Sequence, residues 1–132
     1  MKIVIAQNEC FNVPFNIIKR YFELKGENIY FYHGLNKSFE KFYKLTKNPI
    51  QSWNTYLVTK DLGIIAKHSD IISELLFDGN KIDRTDLNFV KVVEELKPYN
   101  LKIVEIPDDV KWYICTSEEG YETIHEEHRI WY

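Results

Sequence analysis

Glycine and cysteine are scarce in this chain of 132 residues, which contains five glycines and two cysteines. Few glycines leave little material for the loops with which many enzymes hold phosphates, and neither a G-x-S-x-G nor an H-E-x-x-H pattern is present. Cys10 and Cys115 stand far apart, so the sequence predicts neither a metal-binding pair nor a redox pair of thiols. These absences favour a binding protein over an enzyme, although catalytic groups that only folding brings together stay open.

Long hydrophobic runs and an excess of positive charge are absent as well. No apolar run approaches the ~20 residues that span a bilayer, and the apolar start at Lys2–Ala6 is too short for a signal peptide. We therefore expect a cytoplasmic protein without a membrane partner. The formal charge of −3 argues against general binding of DNA or RNA, because a phosphate backbone requires a basic surface. A small anionic ligand stays open, since one or two local arginines can hold it.

The composition is typical of one globular domain covering residues 1–132. Hydrophobic residues make up 45% of the chain and charged residues 28%, which excludes a disordered or fibrous protein as the starting hypothesis. Aromatic residues make up 15%, an excess that fits either stacking surfaces or a core built from large rings.

Hydrophobic periodicity predicts alternating strands and helices in the first half. A strand at Lys2–Ala6, a helix between Pro14 and Gly26 and a strand at Asn28–Tyr32 form a β-α-β unit. Such a unit favours parallel neighbours but fits a mixed sheet equally well. The further elements predicted here are a short helix capped by Ser38, a hairpin of residues 56–59 and 64–66, and a helix over residues 69–76.

The second half contains the clearest helix, Asp86–Leu96, with Thr85 placed to cap its first turn and Pro98 after its end. Strands are predicted at 101–106 and 111–116, and residues 121–132 continue as a meander. The sequence therefore predicts an α+β fold with a mixed or antiparallel sheet, three or four helices and a C-terminal β-meander.

The segment His125-Glu126-Glu127-His128 concentrates imidazoles and carboxylates. The two histidines are three residues apart, whereas a helical zinc motif needs four, and on a strand they point to opposite faces. We therefore expect a solvated acidic strand edge and no metal site.

Arg129 and Trp131 would share one face if the last residues form a single strand. A guanidinium beside a stacking ring suits a phosphate attached to a base. An ion pair of Arg129 with Glu127 is the alternative. The two predicted faces are Thr123, His125, Glu127, Arg129 and Trp131 on one side and Ile124, His128 and Ile130 on the other.

Arg84 lies just before the helix that begins near Asp86. Backbone N–H groups in a first helical turn attract anions, and Arg84 is close enough to assist. Asp86 would oppose a phosphate there, so a plain cap with a surface ion pair is the alternative. Phe89 fits the hydrophobic face of this helix.

Several segments resemble a family of small phage and prophage proteins, well over the last third of the chain and poorly before it. The matching segments are Lys2–Ile5, Arg84-x-Asp86, Val90-x-Val92-Val93-Glu94-Glu95-Leu96, Leu101–Val110, Trp112-Tyr113-Ile114 and Glu126-Glu127-His128-Arg129-x-Trp131. We suspect that this family includes the Thoeris anti-defence proteins of the first type. Two departures are the Glu9–Asn12 segment, where the family has a Tyr-Gly-Gly-Phe-like loop, and the short loop Lys97–Asn100.

The resemblance implies a non-enzymatic trap that works in the host cytoplasm. By this resemblance, the protein would sequester a cyclic ADP-ribose-type signal between protomers of an oligomer. Aromatic rings would stack on the ligand and arginines would contact its phosphates. No cofactor would be needed. The resemblance makes Arg129 the phosphate ligand, and Trp131, Lys111, Asn100 and Phe89 are placed near it as further ligand contacts. Two other hypotheses stay open: an acidic protein that inhibits a host defence enzyme, and a nucleotide hydrolase or phosphodiesterase that uses His125 and His128.

Overall fold

The computed structural model describes residues 1–35, 42–47, 55–126 and 129–131. The chain divides into two units, a terminal unit of residues 1–17 and 79–132 and a central unit of residues 18–78. In chain order the elements are β1 (Lys2–Ala6), α1 (Phe15–Lys25), β2 (Tyr30–Leu35), β3 (Phe42–Thr46), β4 (Thr55–Val58), β5 (Ile65–Lys67), α2 (Leu87–Leu96), β6 (Leu101–Glu105), β7 (Tyr113–Thr116), β8 (Glu122–Glu126) and β9 (Arg129–Trp131).

The terminal unit is built on an antiparallel pair of strands, β1 and β6, which run in register from Lys2 opposite Glu105 to Ala6 opposite Leu101. Residues 3 to 6 of β1 are fully buried, which is typical of an apolar strand that is covered on both faces. The predicted strand at 101–106 is confirmed, one residue shorter at its end.

Helix α2 packs against β1 and β6 through a face formed by Phe89, Val90, Val92 and Val93. The helix is capped by Asp86, whose carboxylate accepts hydrogen bonds from the backbone N–H groups of Asn88 and Phe89. The prediction of Thr85 as the cap is therefore wrong. Thr85 instead donates from its backbone N–H and its hydroxyl to the Asp83 carboxylate, and these bonds lower the pKa of Asp83.

A three-stranded antiparallel sheet in the order β7-β8-β9 completes the terminal unit. The predicted C-terminal meander is thus partly present. Residues 121–131 are not one strand, because β9 folds back on β8 with Arg129 opposite Glu126 and Trp131 opposite Ile124. The inner face of this sheet joins a core cluster of Ile3, Ile5, Val104, Ile106 and Ile124.

The central unit contains an antiparallel sheet in the order β4-β2-β3-β5. Its core is formed by Tyr32, Tyr43, Val58 and Ala66. The hydroxyl of Tyr32 donates to the carbonyl of Gly63 at 2.8 Å and accepts from the N–H of Leu62 at 2.9 Å, so the ring is buried with its polar end satisfied. Burial raises the pKa of Tyr32.

Local pattern predicted the wrong pairings in this unit. Strands β4 and β5 lie at opposite edges of the sheet and do not form the predicted hairpin. Strand β2 is not a neighbour of β1, so the β-α-β unit has no parallel pair, and the described strands pair antiparallel throughout. β4 pairs with β2, β5 with β3 and β1 with β6, and the local pattern specifies none of these pairings.

The prediction of three or four helices is wrong for the described residues, which contain two α-helices. The helix between Pro14 and Gly26 is confirmed as α1, and Gly26 ends it at φ +70°. Residues 68–70 and 73–75 form separate 3₁₀ turns where a helix over 69–76 was predicted. Of the predicted helix from Ser38, residues 38–41 lie outside the described residues, and 42–46 form β3, because Phe42, Tyr43 and Leu45 fit a strand as well as a helix.

Two apolar side chains at the start of α2 allow a matched test of this packing. Phe89 is 0% exposed and Leu87 is 84% exposed. We expect Phe89→Ala to lower the free energy of unfolding by about 3–5 kcal/mol through loss of buried area and cavity formation. Leu87→Ala should change it by less than about 0.5 kcal/mol. Urea denaturation measures both, and similar losses for the two variants would contradict the orientation of the helix.

Candidate functional site

Arg84 and Glu122 form a two-pronged ion pair in the terminal unit. The guanidinium Nη1 lies 2.7 Å from Glu122 Oε1 and Nη2 lies 3.1 Å from Oε2. The Glu122 side chain is 7% exposed and that of Arg84 is 21% exposed. A planar guanidinium matches a carboxylate in this geometry, and the match compensates part of the desolvation cost of both charges.

Three hydrogen bonds and one ring contact tie this ion pair to the start of the chain. Glu122 Oε1 also accepts a hydrogen bond from the backbone N–H of Ala6 at 2.8 Å. Arg84 Nη1 donates to the carbonyl of Val4 at 3.2 Å, and the carbonyl of Arg84 accepts from the N–H of Val4 at 2.9 Å. The ring of Phe11 lies on the guanidinium, with its centroid 3.3 Å from Cζ. Arg84 therefore joins β1, β8 and the segment before α2.

A cleft of about 470 Å³ opens beside this ion pair, at the end of β1. Its volume falls within the range of small-molecule sites, about 300–1,000 Å³. The described residues that line it are Ala6, Gln7, Asn8, Lys102, Glu119, Tyr121, Glu122 and Thr123. Because Arg84 neutralises Glu122, the charges left to face a ligand are those of Lys102 and Glu119.

Gln7 and Asn8 each use a side-chain amide N–H to hold a backbone carbonyl. Gln7 Nε2 donates to the carbonyl of Leu101 at 3.2 Å, and Asn8 Nδ2 donates to that of Tyr99 at 2.9 Å. Asn8 adopts a left-handed backbone conformation with φ +66°, which asparagine tolerates better than most residues. These bonds set the orientation of both amide groups at the cleft wall.

Asn100 and Gly120 shape the loop that follows β1. Asn100 is buried, donates from Nδ2 to the carbonyl of Asn12 at 2.6 Å, and accepts from the N–H of Gln7 at 3.0 Å. Gly120 has φ +95°, and a Cβ there would overlap Cys10 Sγ. The Glu9–Asn12 segment is therefore held close against the turn before β8.

The structure places the predicted ligand residues in different surroundings. Arg84 is engaged by Glu122, Asn100 holds the loop, Phe89 lies in the core and Lys111 is exposed. The side chain of Arg129 lies outside the described residues, as do Glu127 and His128. Ligand contacts stay predictions for all six residues: Arg84, Phe89, Asn100, Lys111, Arg129 and Trp131.

Trp131 lies on the inner face of the C-terminal sheet. Its ring packs against the core cluster, and Nε1 donates to Glu126 Oε1 at 3.1 Å. His125 lies on the opposite face, beside Ile130 and Tyr113, with Nε2 2.8 Å from the Thr123 hydroxyl. The predicted common face of His125 and Trp131 is wrong, because β9 pairs antiparallel with β8 and places Trp131 opposite Ile124 and Ile130 opposite His125.

Sequence reasoning missed the cleft residues Gln7, Asn8, Lys102 and Tyr121. No motif marks Gln7, Asn8 or Tyr121, and the ends of β1 and β8 together with β6 bring these residues and Lys102 to one cleft. Within the described ranges, no three His, Cys, Asp or Glu residues are grouped as metal ligands. No described helix is long and apolar enough to cross a membrane. Comparisons with protein families, curated proteins and solved structures found no match.

Two glutamates in ion pairs, Glu122 with Arg84 and Glu94 with Lys2, provide a matched test of the buried pair. Glu122→Gln leaves the Arg84 cation without its counter-charge, and we expect a loss of about 3 kcal/mol in the free energy of unfolding. Glu94 pairs with Lys2 at 3.2 Å, with both side chains about half exposed, so Glu94→Gln should cost less than about 0.5 kcal/mol. Urea unfolding measures the stability of both variants. Equal midpoints would show that the Arg84–Glu122 pair contributes no more to stability than the exposed Lys2–Glu94 pair.

Proposed function

We propose that this protein binds a cyclic ADP-ribose-type signalling molecule in the cleft and holds it without cleaving it. In this proposal it is a phage-encoded anti-defence protein that lowers the free signal in the host cytoplasm. The observation that carries the proposal is the cleft beside the Arg84–Glu122 pair, with a volume suited to a nucleotide and polar side chains on its walls. The resemblance of the last third of the chain to phage sponges supplies the ligand class.

The chemistry of the cleft suits a nucleotide in two respects. Tyr121 is 43% exposed at the cleft wall, so its ring is available for stacking on a base. Lys102 supplies a positive charge for a phosphate. The Glu122 carboxylate, which would otherwise repel an anion, is neutralised by Arg84. Stacking on Tyr121 and attraction to Lys102 hold a ligand without breaking any of its bonds, as a trap requires.

The proposal includes a homo-oligomer in which Arg129 contacts the phosphates. It is supported by the outer face of the C-terminal sheet, which carries exposed Tyr113 and Ile130 on either side of His125. The rings of Tyr113 and His125 lie 5.7 Å apart, and with Ile130 they give this face aromatic and apolar side chains on an acidic protein. Such a surface lets two like-charged copies approach without opposing their charges.

Binding of cyclic ADP-ribose, measured by isothermal titration calorimetry, tests this function. We expect Tyr121→Ala to weaken binding at least tenfold, because a stacked base contributes about 1–3 kcal/mol. Lys102→Met should weaken it and reduce its salt dependence. Tyr99→Ala is the matched control, since Tyr99 is 75% exposed and does not line the cleft.

Heat denaturation of the loaded protein gives the second readout. Chromatography of the released molecule should recover intact cyclic ADP-ribose in proportion to the protein. A cleaved product, or equal effects of Tyr121→Ala and Tyr99→Ala, would contradict a trap at this cleft.

A further inference from the structure

We propose that Gln7 and Asn8 select the ligand by its amine, so that the cleft prefers an adenine-type base over one with an oxygen at the same carbon. This inference rests on the proposed function and concerns which end of the nucleotide meets the end of β1. It assigns specificity to two residues that lie outside every motif of the sequence.

The side-chain amides of Gln7 and Asn8 are both hydrogen-bonded to the backbone. Each amide nitrogen donates to a backbone carbonyl, that of Leu101 for Gln7 and that of Tyr99 for Asn8. Nitrogen and oxygen diverge in a primary amide, so an amide that turns its nitrogen toward the backbone turns its oxygen elsewhere. One N–H of each amide is engaged with the backbone, and because both side chains line the cleft, their carbonyl oxygens are the acceptors that they can offer to a ligand.

Lys102 is the cation of the cleft and is assigned to a phosphate, and the groups that remain favour a ligand edge that donates. Glu119 adds a carboxylate, whereas the Thr123 hydroxyl is already 2.8 Å from His125 Nε2. Both oxygens of Glu122 are taken by Arg84. A wall of acceptors suits a ligand edge that donates, as an exocyclic amine does. An oxygen at that position would face other oxygens without a proton between them.

The wall is also fixed before a ligand arrives. The N–H of Gln7 donates to the carbonyl of Asn100, and Ala6 is held by Glu122, so the backbone at the end of β1 is bonded on both sides. Preformed acceptors lose little conformational freedom on binding, which increases the discrimination that each hydrogen bond provides.

Calorimetry with two ligands tests the inference: cyclic ADP-ribose and its hypoxanthine counterpart, cyclic IDP-ribose, in which an oxygen replaces the amine. We expect the amine-bearing ligand to bind about tenfold more tightly to the parent protein, since one hydrogen bond contributes about 1 kcal/mol or somewhat more. Gln7→Met and Asn8→Gly should each bring the ratio of the two affinities closer to one. Asn8→Gly removes the amide without straining a backbone at φ +66°, and the urea unfolding midpoint of each variant is the control for folding.

Each outcome separates this inference from the function on which it rests. Equal affinities of the two ligands for the parent protein would overturn selection by the amine and leave the trap intact. An unchanged ratio in both variants would assign the selection to other residues and overturn the role of Gln7 and Asn8. Binding of neither ligand would reject the proposed function itself.

Discussion

The ion pair of Arg84 with Glu122 is the constraint on which the terminal unit depends. Glu122 holds the guanidinium with both oxygens and the N–H of Ala6 with one of them, so a single carboxylate joins β1, β8 and the segment before α2. A buried ion pair contributes little net stability, because desolvation offsets attraction, but it permits one arrangement of its partners and penalises others. Glu122 also lines the cleft beside the end of β1, so the ion pair fixes one side of the candidate site.

The elements that sequence periodicity predicted correctly are those whose pattern is local. Helix α2 has one apolar face and a capping aspartate beside its first turn, and β1 and β6 are short β-branched runs. Pairing was predicted poorly, because β1 pairs with β6 from the far end of the chain and β2 lies between β3 and β4 in a separate sheet. The aromatic residues of β3 fit both periodicities, and pairing with β2 and β5 decided between them.

The candidate site was less predictable than the fold for a related reason. Arg84 was recognised as a candidate anion ligand, but its partner Glu122 lies 38 residues further on and no pattern connects the two. Gln7 and Asn8 carry no charge and match no motif, so only the pairing of β1 with β6 reveals that they share a cleft wall with Lys102. Trp131 was predicted to face a ligand because the strand was assumed to continue, whereas β9 folds back and directs the ring toward the core.

The location of the ligand is the central claim, and amide chemical shifts of the ¹⁵N-labelled protein titrated with cyclic ADP-ribose test it most directly. If the ligand binds in the cleft, the largest shifts will fall on residues 6–8 and 119–123 and on Lys102, which line it. Shifts confined to the outer face of the C-terminal sheet, at Tyr113, His125 and Ile130, would place the ligand elsewhere and contradict the account.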